Sequence, residues 1–183
     1  ELTIFTPNEQ SFKVLNFRFK NNLNEERKIK ILLYIKNVLG EDEILTNGNL
    51  EVEKNGDIIY VNNVFSEDVF KDKKMYIASS EKINSFTGEK VDFFGEGDLK
   101  RPDALFRKLN NQSGLGKDSC VGIELYVNFH KFEEKSFYII IGQESSKEKV
   151  GEVVKKYLNK EEIEKLFDET KQKWENILTT INI

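Results

Sequence analysis

The sequence predicts a mainly β, antiparallel sandwich followed by helices, and three observations carry that prediction. Residues 28–36 (KIKILLYIK) and 121–129 (VGIELYVNF) alternate strictly, placing Ile29, Ile31, Leu33 and Ile35 on one face and Val121, Ile123, Leu125, Val127 and Phe129 on another. A period of two marks a half-buried strand. Asn55-Gly56 stands between two further strand-like segments, and this pair tolerates the positive φ of a tight hairpin turn. After Gly142 the apolar period lengthens to that of a helix. Strands first and helices last is the order of a sandwich with a helical tail.

Each element follows in turn. Residues 2–6 read as a strand closed by Pro7. Residues 12–20 (FKVLNFRFK) are apolar on both faces in places, as inside a sandwich. They are expected to pair with residues 28–36 across the polar turn NNLNEE. Residues 49–53 and 57–62 form the Asn-Gly hairpin, and residues 74–80 form another strand. Residues 121–129 are expected to pair with residues 135–141 across HKFEE. Ser145 with Glu148, and Asn159 with Glu162, have capping-box spacing. The first helix, 146–158, carries Val150, Val153, Val154 and Tyr157 on one side. The second gathers Ile163, Leu166, Phe167, Thr170, Trp174, Ile177 and Leu178 on one stripe, the pattern of a buried face. That spacing assigns Trp174 to a core or an interface rather than to sugar stacking. The division is therefore a β-sandwich over 1–144 and a helical segment over 145–183.

Composition narrows the function. A net charge of −4 argues against nucleic acid, whose phosphates attract a basic field. No apolar run approaches the ~20 residues of a membrane helix, and no signal-peptide pattern is visible. One cysteine, Cys120, excludes an internal disulfide and fits a reducing compartment such as the cytoplasm. The chain opens at Glu1 inside a strand-like segment and closes after an amphipathic helix, so the expectation is a domain excised from a longer protein.

The chemistry-bearing residues are few. His130 is the only histidine, too few for an imidazole metal site, and it reads as a solvated turn residue. Cys120 opens an apolar strand and reads as core. The long stretch 85–120 is the richest candidate, because long irregular connections in compact domains are usually functional or hold an interface. Within it, Phe93-Phe94-Gly95-Glu96-Gly97-Asp98 contains a GxG, but Glu96 and Asp98 would repel a phosphate. The segment is either a contact for sugar hydroxyls, from which carboxylates accept readily, or a tight acidic surface turn. Arg101-Pro102 opens a short helix that Leu105, Phe106 and Leu109 can anchor; it either packs to tie the connection down or aims Arg101 toward a ligand or subunit. Asn111 and Gln112 begin a small, hydrogen-bond-rich loop that suits either sugar recognition or plain chain reversal.

The segments ILLYIKNVLG (31–40), SFTGEKVDFFGEGDLKRPDALF (85–106), SGLGKDSC (113–120) and IIIGQESSKE (139–148) resemble, in order and spacing, the N-terminal β-sandwich domain of family 94 glycoside phosphorylases, formerly glycosyltransferase family 36. The long connection is most similar to the cyclic β-1,2-glucan synthase branch. The resemblance implies an antiparallel super-sandwich like that of galactose mutarotase, then linker helices, then an (α/α)6 catalytic barrel. It implies no catalysis from this chain alone. In the parent, inorganic phosphate would be co-substrate, and no other cofactor is implied. A β-glucan or β-glucooligosaccharide, the barrel of the parent chain and a second copy are the implied partners. Phe94, Glu96, Asp98, Arg101, Asn111 and Gln112 are the residues expected at the sugar. Where the family often has Phe-Leu-Gly-Arg, this chain has Phe93-Phe94-Gly95-Glu96. The subunit-reaching arginine of some phosphorylases is thus replaced by Glu96, so that role is either lost here or taken by Arg101. A free-standing carbohydrate-binding module, with Tyr60, Phe65, Phe93 and Phe94 in its groove, is one alternative. A mutarotase-like epimerase is the other, and a single histidine serves it badly.

Overall fold

A computed structural model describes residues 1–65 and 73–180. Residues 181–183, the end of the expected helical tail, lie outside the described residues. Nine strands form two antiparallel sheets among the described residues. The larger has the order β1 (Leu2–Phe5), β2 (Phe12–Lys20), β9 (Glu134–Glu144), β6 (Lys74–Ser79), β5 (Ile58–Asn63), β4 (Leu50–Asn55). The smaller has the order β3 (Arg27–Ile35), β8 (Ser119–Phe129), β7 (Ile83–Glu89). This is the mainly β, antiparallel sandwich that the alternation predicts, with its helices at the C-terminal end.

Alternation decides which layer each side chain joins. From β8, Val121, Ile123, Leu125, Val127 and Phe129 enter the core between the sheets, where they meet Leu15, Val52, Ile59, Ile77, Phe137 and Ile139 of the larger sheet. Stacked Phe17 and Phe137, with ring centroids 4.7 Å apart, extend that core toward Phe19. The larger sheet is apolar on its outer face as well. Phe12, Val14, Tyr76, Tyr138 and Ile140 there pack under α3 (Lys147–Tyr157) and α4 (Lys160–Thr180) through Val150, Ile163 and Leu166. Two short helices, α1 (Glu43–Thr46) and α2 (Lys90–Phe94), and a 3-10 turn (Asp103–Leu105) complete the chain.

Two expected pairings are corrected. β2 pairs with β1 and β9, not with β3, and β8 pairs with β3 and β7, not with β9. Both polar turns therefore cross from one sheet to the other instead of closing hairpins. Buried Asn21 binds the two crossings together, donating from Nδ2 to the carbonyls of Glu25 and His130, each at 2.8 Å. The two-faced apolarity of β2 already required a strand covered on both sides, which an interior strand of the larger sheet satisfies.

Smaller corrections concern turns and caps. Asn55 pairs with Ile58, so the hairpin turns on Gly56-Asp57. Gly56 is left-handed (φ 59°) and Asn55 is not, which is the glycine-first two-residue turn rather than the one centred on Asn-Gly. The first helix is capped by Ser146, whose side chain accepts from the Lys149 N–H, not by Ser145. Asn159 caps α4 as expected, accepting from the Glu162 N–H at 3.0 Å. The stripe on α4 is buried at Ile163, Leu166 and Thr170, but Trp174 remains 57% exposed.

Cys120 is fully buried on β8, as its place at the head of an apolar strand predicts. Burial, reinforced by the nearby Asp118 and Asp92 carboxylates, pushes its thiol up from 9.0 to about 12. The unfolded thiol ionises first as pH rises through 9.0. Its contribution to stability is therefore intact below pH 9 and falls away between pH 9 and about 12. Native protein is expected to resist iodoacetamide at pH 8 and to react fully once unfolded. Rapid alkylation of the native state would contradict this.

Candidate functional site

The long connection lies over the outer face of the smaller sheet. It begins inside β7, which extends to Glu89, and its first helical turn is α2. Phe93, Ala104 and Leu109 are its buried anchors, packed against Leu32 and Tyr34 of β3. Leu105 and Phe106, expected to anchor it, are exposed. The short helix after Pro102 is the 3-10 turn, in which Ala104 is buried, Asp103 half-buried and Leu105 exposed.

Polar clamps hold the connection where apolar anchors are few. Asp92, 8% exposed, binds Arg107 through Oδ1 and accepts from the Asn110 N–H at 3.0 Å through Oδ2. Lys30 of β3 donates to the carbonyls of Ala104 (2.5 Å) and Arg107 (2.8 Å). The same ammonium stands 2.8 Å from Glu124 Oε2 on β8, an ion pair off hydrogen-bond alignment. Further on, the connection stitches the sheets together at their edges. Gly88 of β7 donates to Gln112 O, while Val52 of β4 donates to Ser113 O, at 2.8 and 3.0 Å.

These clamps present a shallow hollow of about 470 Å³ lined by Lys90, Val91, Phe94, Gly95, Gly97, Asp98, Leu99 and Asp118. Gly95 ends α2 in the left-handed region (φ 57°). Asp98 Oδ1 then accepts from the N–H groups of Lys100 (2.8 Å) and Arg101 (3.0 Å). Phe94 is half-buried and meets Tyr34 edge-on at 4.8 Å. Of the six residues expected at a sugar, Phe94 and Asp98 line the hollow, and exposed Glu96 lies in the turn between them. Arg101 is exposed with its guanidinium over the Phe106 ring, 5.1 Å from the centroid.

Asn111 and Gln112 do not line the hollow. Asn111 is left-handed (φ 60°) and its Oδ1 accepts from the Phe86 N–H at 3.1 Å. Its side chain thus serves chain reversal against β7. Sequence reasoning missed the Lys90–Asp118 ion pair (3.0 Å) that lines the hollow. Hydrogen bonding and charge from Asp118 raise the Lys90 ammonium above its ordinary value. Asp118 stands within the quoted SGLGKDSC loop, and its parity with Cys120 was the available signal.

The hollow offers the carboxylates of Asp98 and Asp118, which accept from hydroxyl groups, beside the Lys90 ammonium. Cys120 is buried. His130 is exposed in the crossing turn, 3.1 Å from Glu26, as a solvated residue should be. No His, Cys, Asp and Glu cluster suited to a metal ion occurs among the described residues. No helix among them is long and apolar enough to cross a membrane. Of the aromatics considered for a binding groove, Tyr60 and Phe93 are buried, whereas Phe65 is exposed.

Comparison with known proteins follows the fold. No curated protein matches the chain. A solved structure provisionally described as a kojibiose phosphorylase, from the human microbiome, aligns at 13% identity with a TM-score of 0.40. The alignment covers 88% of this chain and 17% of that one, so this chain spans a small part of that protein's length. The family model described as glycosyl hydrolase 94, supersandwich domain, matches residues 1–160. The chain belongs to that family, as its supersandwich domain.

Proposed function

We propose that this chain is a non-catalytic, carbohydrate-contacting and structural domain of a glycoside phosphorylase or cyclic β-glucan synthase, nearest the cyclic β-1,2-glucan synthase branch. The sandwich over residues 1–144 braces a catalytic barrel, and residues 145–183 link to it. The connection lends its hollow to the rim of a β-glucoside site. In the parent, inorganic phosphate attacks the anomeric carbon with inversion while a barrel carboxylic acid protonates the leaving oxygen. The parent works in the cytoplasm as a homodimer.

One observation carries this reading: a long irregular segment, clamped by buried Asp92 and half-buried Lys30, presents the carboxylates of Asp98 and Asp118 and the edge of Phe94 around one hollow. Rigid placement of hydroxyl acceptors is what a positioning surface needs. Asp98 and Asp118 would accept from hydroxyls, Lys90 would donate, and Phe94 would offer an apolar edge to a sugar face.

The test is kinetic, on the full-length parent. Phe94→Ala and Asp98→Ala are each expected to raise KM for the glucoside roughly tenfold while kcat changes little, the pattern of lost uniform binding. Arg101→Ala tests whether that residue reaches the neighbouring site. Unchanged KM in all three would remove the hollow from the sugar path. Millimolar or tighter binding of β-glucooligosaccharides by residues 1–183 alone would favour the free-standing module instead.

A further inference from the structure

Asparagine is followed by glycine twice, at Asn47-Gly48 and Asn55-Gly56. The pair is reactive because a glycine nitrogen has no side chain beside it to shield it from the asparagine amide. Both asparagines are exposed, so solvent access does not tell them apart. Their bonding does. At the first pair, Asn47 Oδ1 accepts from the Ser119 N–H at 2.9 Å, and the Gly48 N–H donates to Ser119 Oγ at 3.3 Å. The Asn47 N–H donates to Glu43 O and Gly48 O accepts from the Gly116 N–H, at 2.8 and 2.7 Å. Asn47 is held extended (ψ 131°), which turns Gly48 N away from its Cγ. The second pair stands at the tip of the β4–β5 hairpin. There, neither the Asn55 side chain nor the Gly56 N–H has a hydrogen-bond partner among the described residues. A Cβ built on Gly56 would meet nothing within 4 Å, so the space around the turn is open.

We propose that Asn55 is a site of spontaneous deamidation in the folded chain and that the fold protects Asn47 from the same reaction. The Gly56 nitrogen gives its proton to solvent and bonds to Asn55 Cγ, and the side-chain nitrogen leaves as ammonia. The product is a five-membered succinimide. Water then adds to one ring carbonyl and breaks its bond to the shared nitrogen, giving aspartate or isoaspartate. One water is consumed and one ammonia released, and no cofactor takes part. Closing the ring requires rotation about the asparagine Cα–C bond. At Asn55 that rotation loosens only the last pair of the ladder, Asn55 with Ile58. At Asn47 it must first break the bonds to Ser119. The consequence is local but not confined to one residue. Isoaspartate lengthens the main chain by one atom, two positions before Asp57. Asp57 Oδ1 accepts from the Ile83 N–H at 2.8 Å, and its carbonyl accepts from the Ser79 N–H at 3.0 Å. A change at the tip therefore reaches the corner between β6 and β7.

Hydroxylamine tests the intermediate, because it attacks succinimides and cuts the chain between the asparagine and the glycine. The native 183-residue chain is expected to yield fragments 1–55 and 56–183, and the guanidinium-unfolded chain to be cut after residue 47 as well. Ageing the native chain at mildly alkaline pH tests the products. Trypsin cuts after Lys36 and Lys54 and so places the two asparagines on different peptides. Mass spectrometry is expected to find conversion at Asn55 at least about tenfold faster than at Asn47, the factor imposed when two ordinary hydrogen bonds must open first. Asn55→Gln, whose longer side chain must close a slower six-membered ring, is expected to silence the exposed site. Ser119→Ala deprives the Gly48 N–H of its acceptor and is expected to speed conversion at Asn47 several-fold while leaving Asn55 unchanged. Equal rates at the two positions, native cleavage after residue 47 ahead of residue 55, or a native chain inert at both would each overturn the proposal.

Discussion

Gly114→Ala is expected to destabilise the chain by about 3 kcal/mol or more, among the largest effects of any single methyl group here. Two costs combine. Gly114 is left-handed (φ 76°), a conformation that strains any residue with a Cβ. The added carbon would also overlap the carbonyl of Gly88, which is backbone and cannot rotate away. Gly88→Ala meets the same obstacle from the other side, against Ser113 O. Either substitution drives the connection off β7 and breaks the Gly88-to-Gln112 and Val52-to-Ser113 bonds that join the sheet edges. Gly151→Ala is the control, since nothing stands within 4 Å of its new carbon and alanine favours a helix. Urea unfolding should place the control at or above the parent midpoint and Gly114→Ala far below. A loss under about 1 kcal/mol would show that the two segments can separate freely.

Lys30→Met is the second large expectation, at about 3–5 kcal/mol. Glu124 is 1% exposed, and its ion-pair partner among the described residues is Lys30. Removing the cation leaves a buried carboxylate alone and strips donors from the carbonyls of Ala104 and Arg107. The double variant Lys30→Met, Glu124→Leu should regain most of the loss, because replacing both members of a buried pair by apolar groups is often near neutral. The two carbonyls would still lack their donor, so recovery stays incomplete. A double-mutant cycle measures the coupling. Additive losses would mean that the pair does not interact.

The strands were legible because their side chains alternate, and the pairings were not because alternation carries no address. Residues 121–129 announce an apolar face whichever neighbour they take. The turns at 21–26 and 130–133 have the polarity of hairpins but cross between sheets, and the feature that fixes them is one buried amide, Asn21. β7 escaped notice for a related reason. Its inward positions include Ser85 and Thr87, buried under the connection rather than in the apolar core, and bulges interrupt its register. At the site, Phe94 and Asp98 could be read from the sequence because glycines frame an exposed turn. Asn111 could not be, since its carbonyl oxygen is spent on Phe86 N–H, a partner 25 residues away.

The strand at the centre of the smaller sheet serves two masters by parity. Odd positions of β8, from Val121 to Phe129, join the inter-sheet core, whereas Cys120 and Glu124 face the connection. Such a strand insulates one neighbourhood from the other. The outer surface of the domain can therefore be re-dressed, loop and clamps together, by substitutions whose energies add independently to those of the interior. A scaffold so divided can change what it greets while keeping what it is.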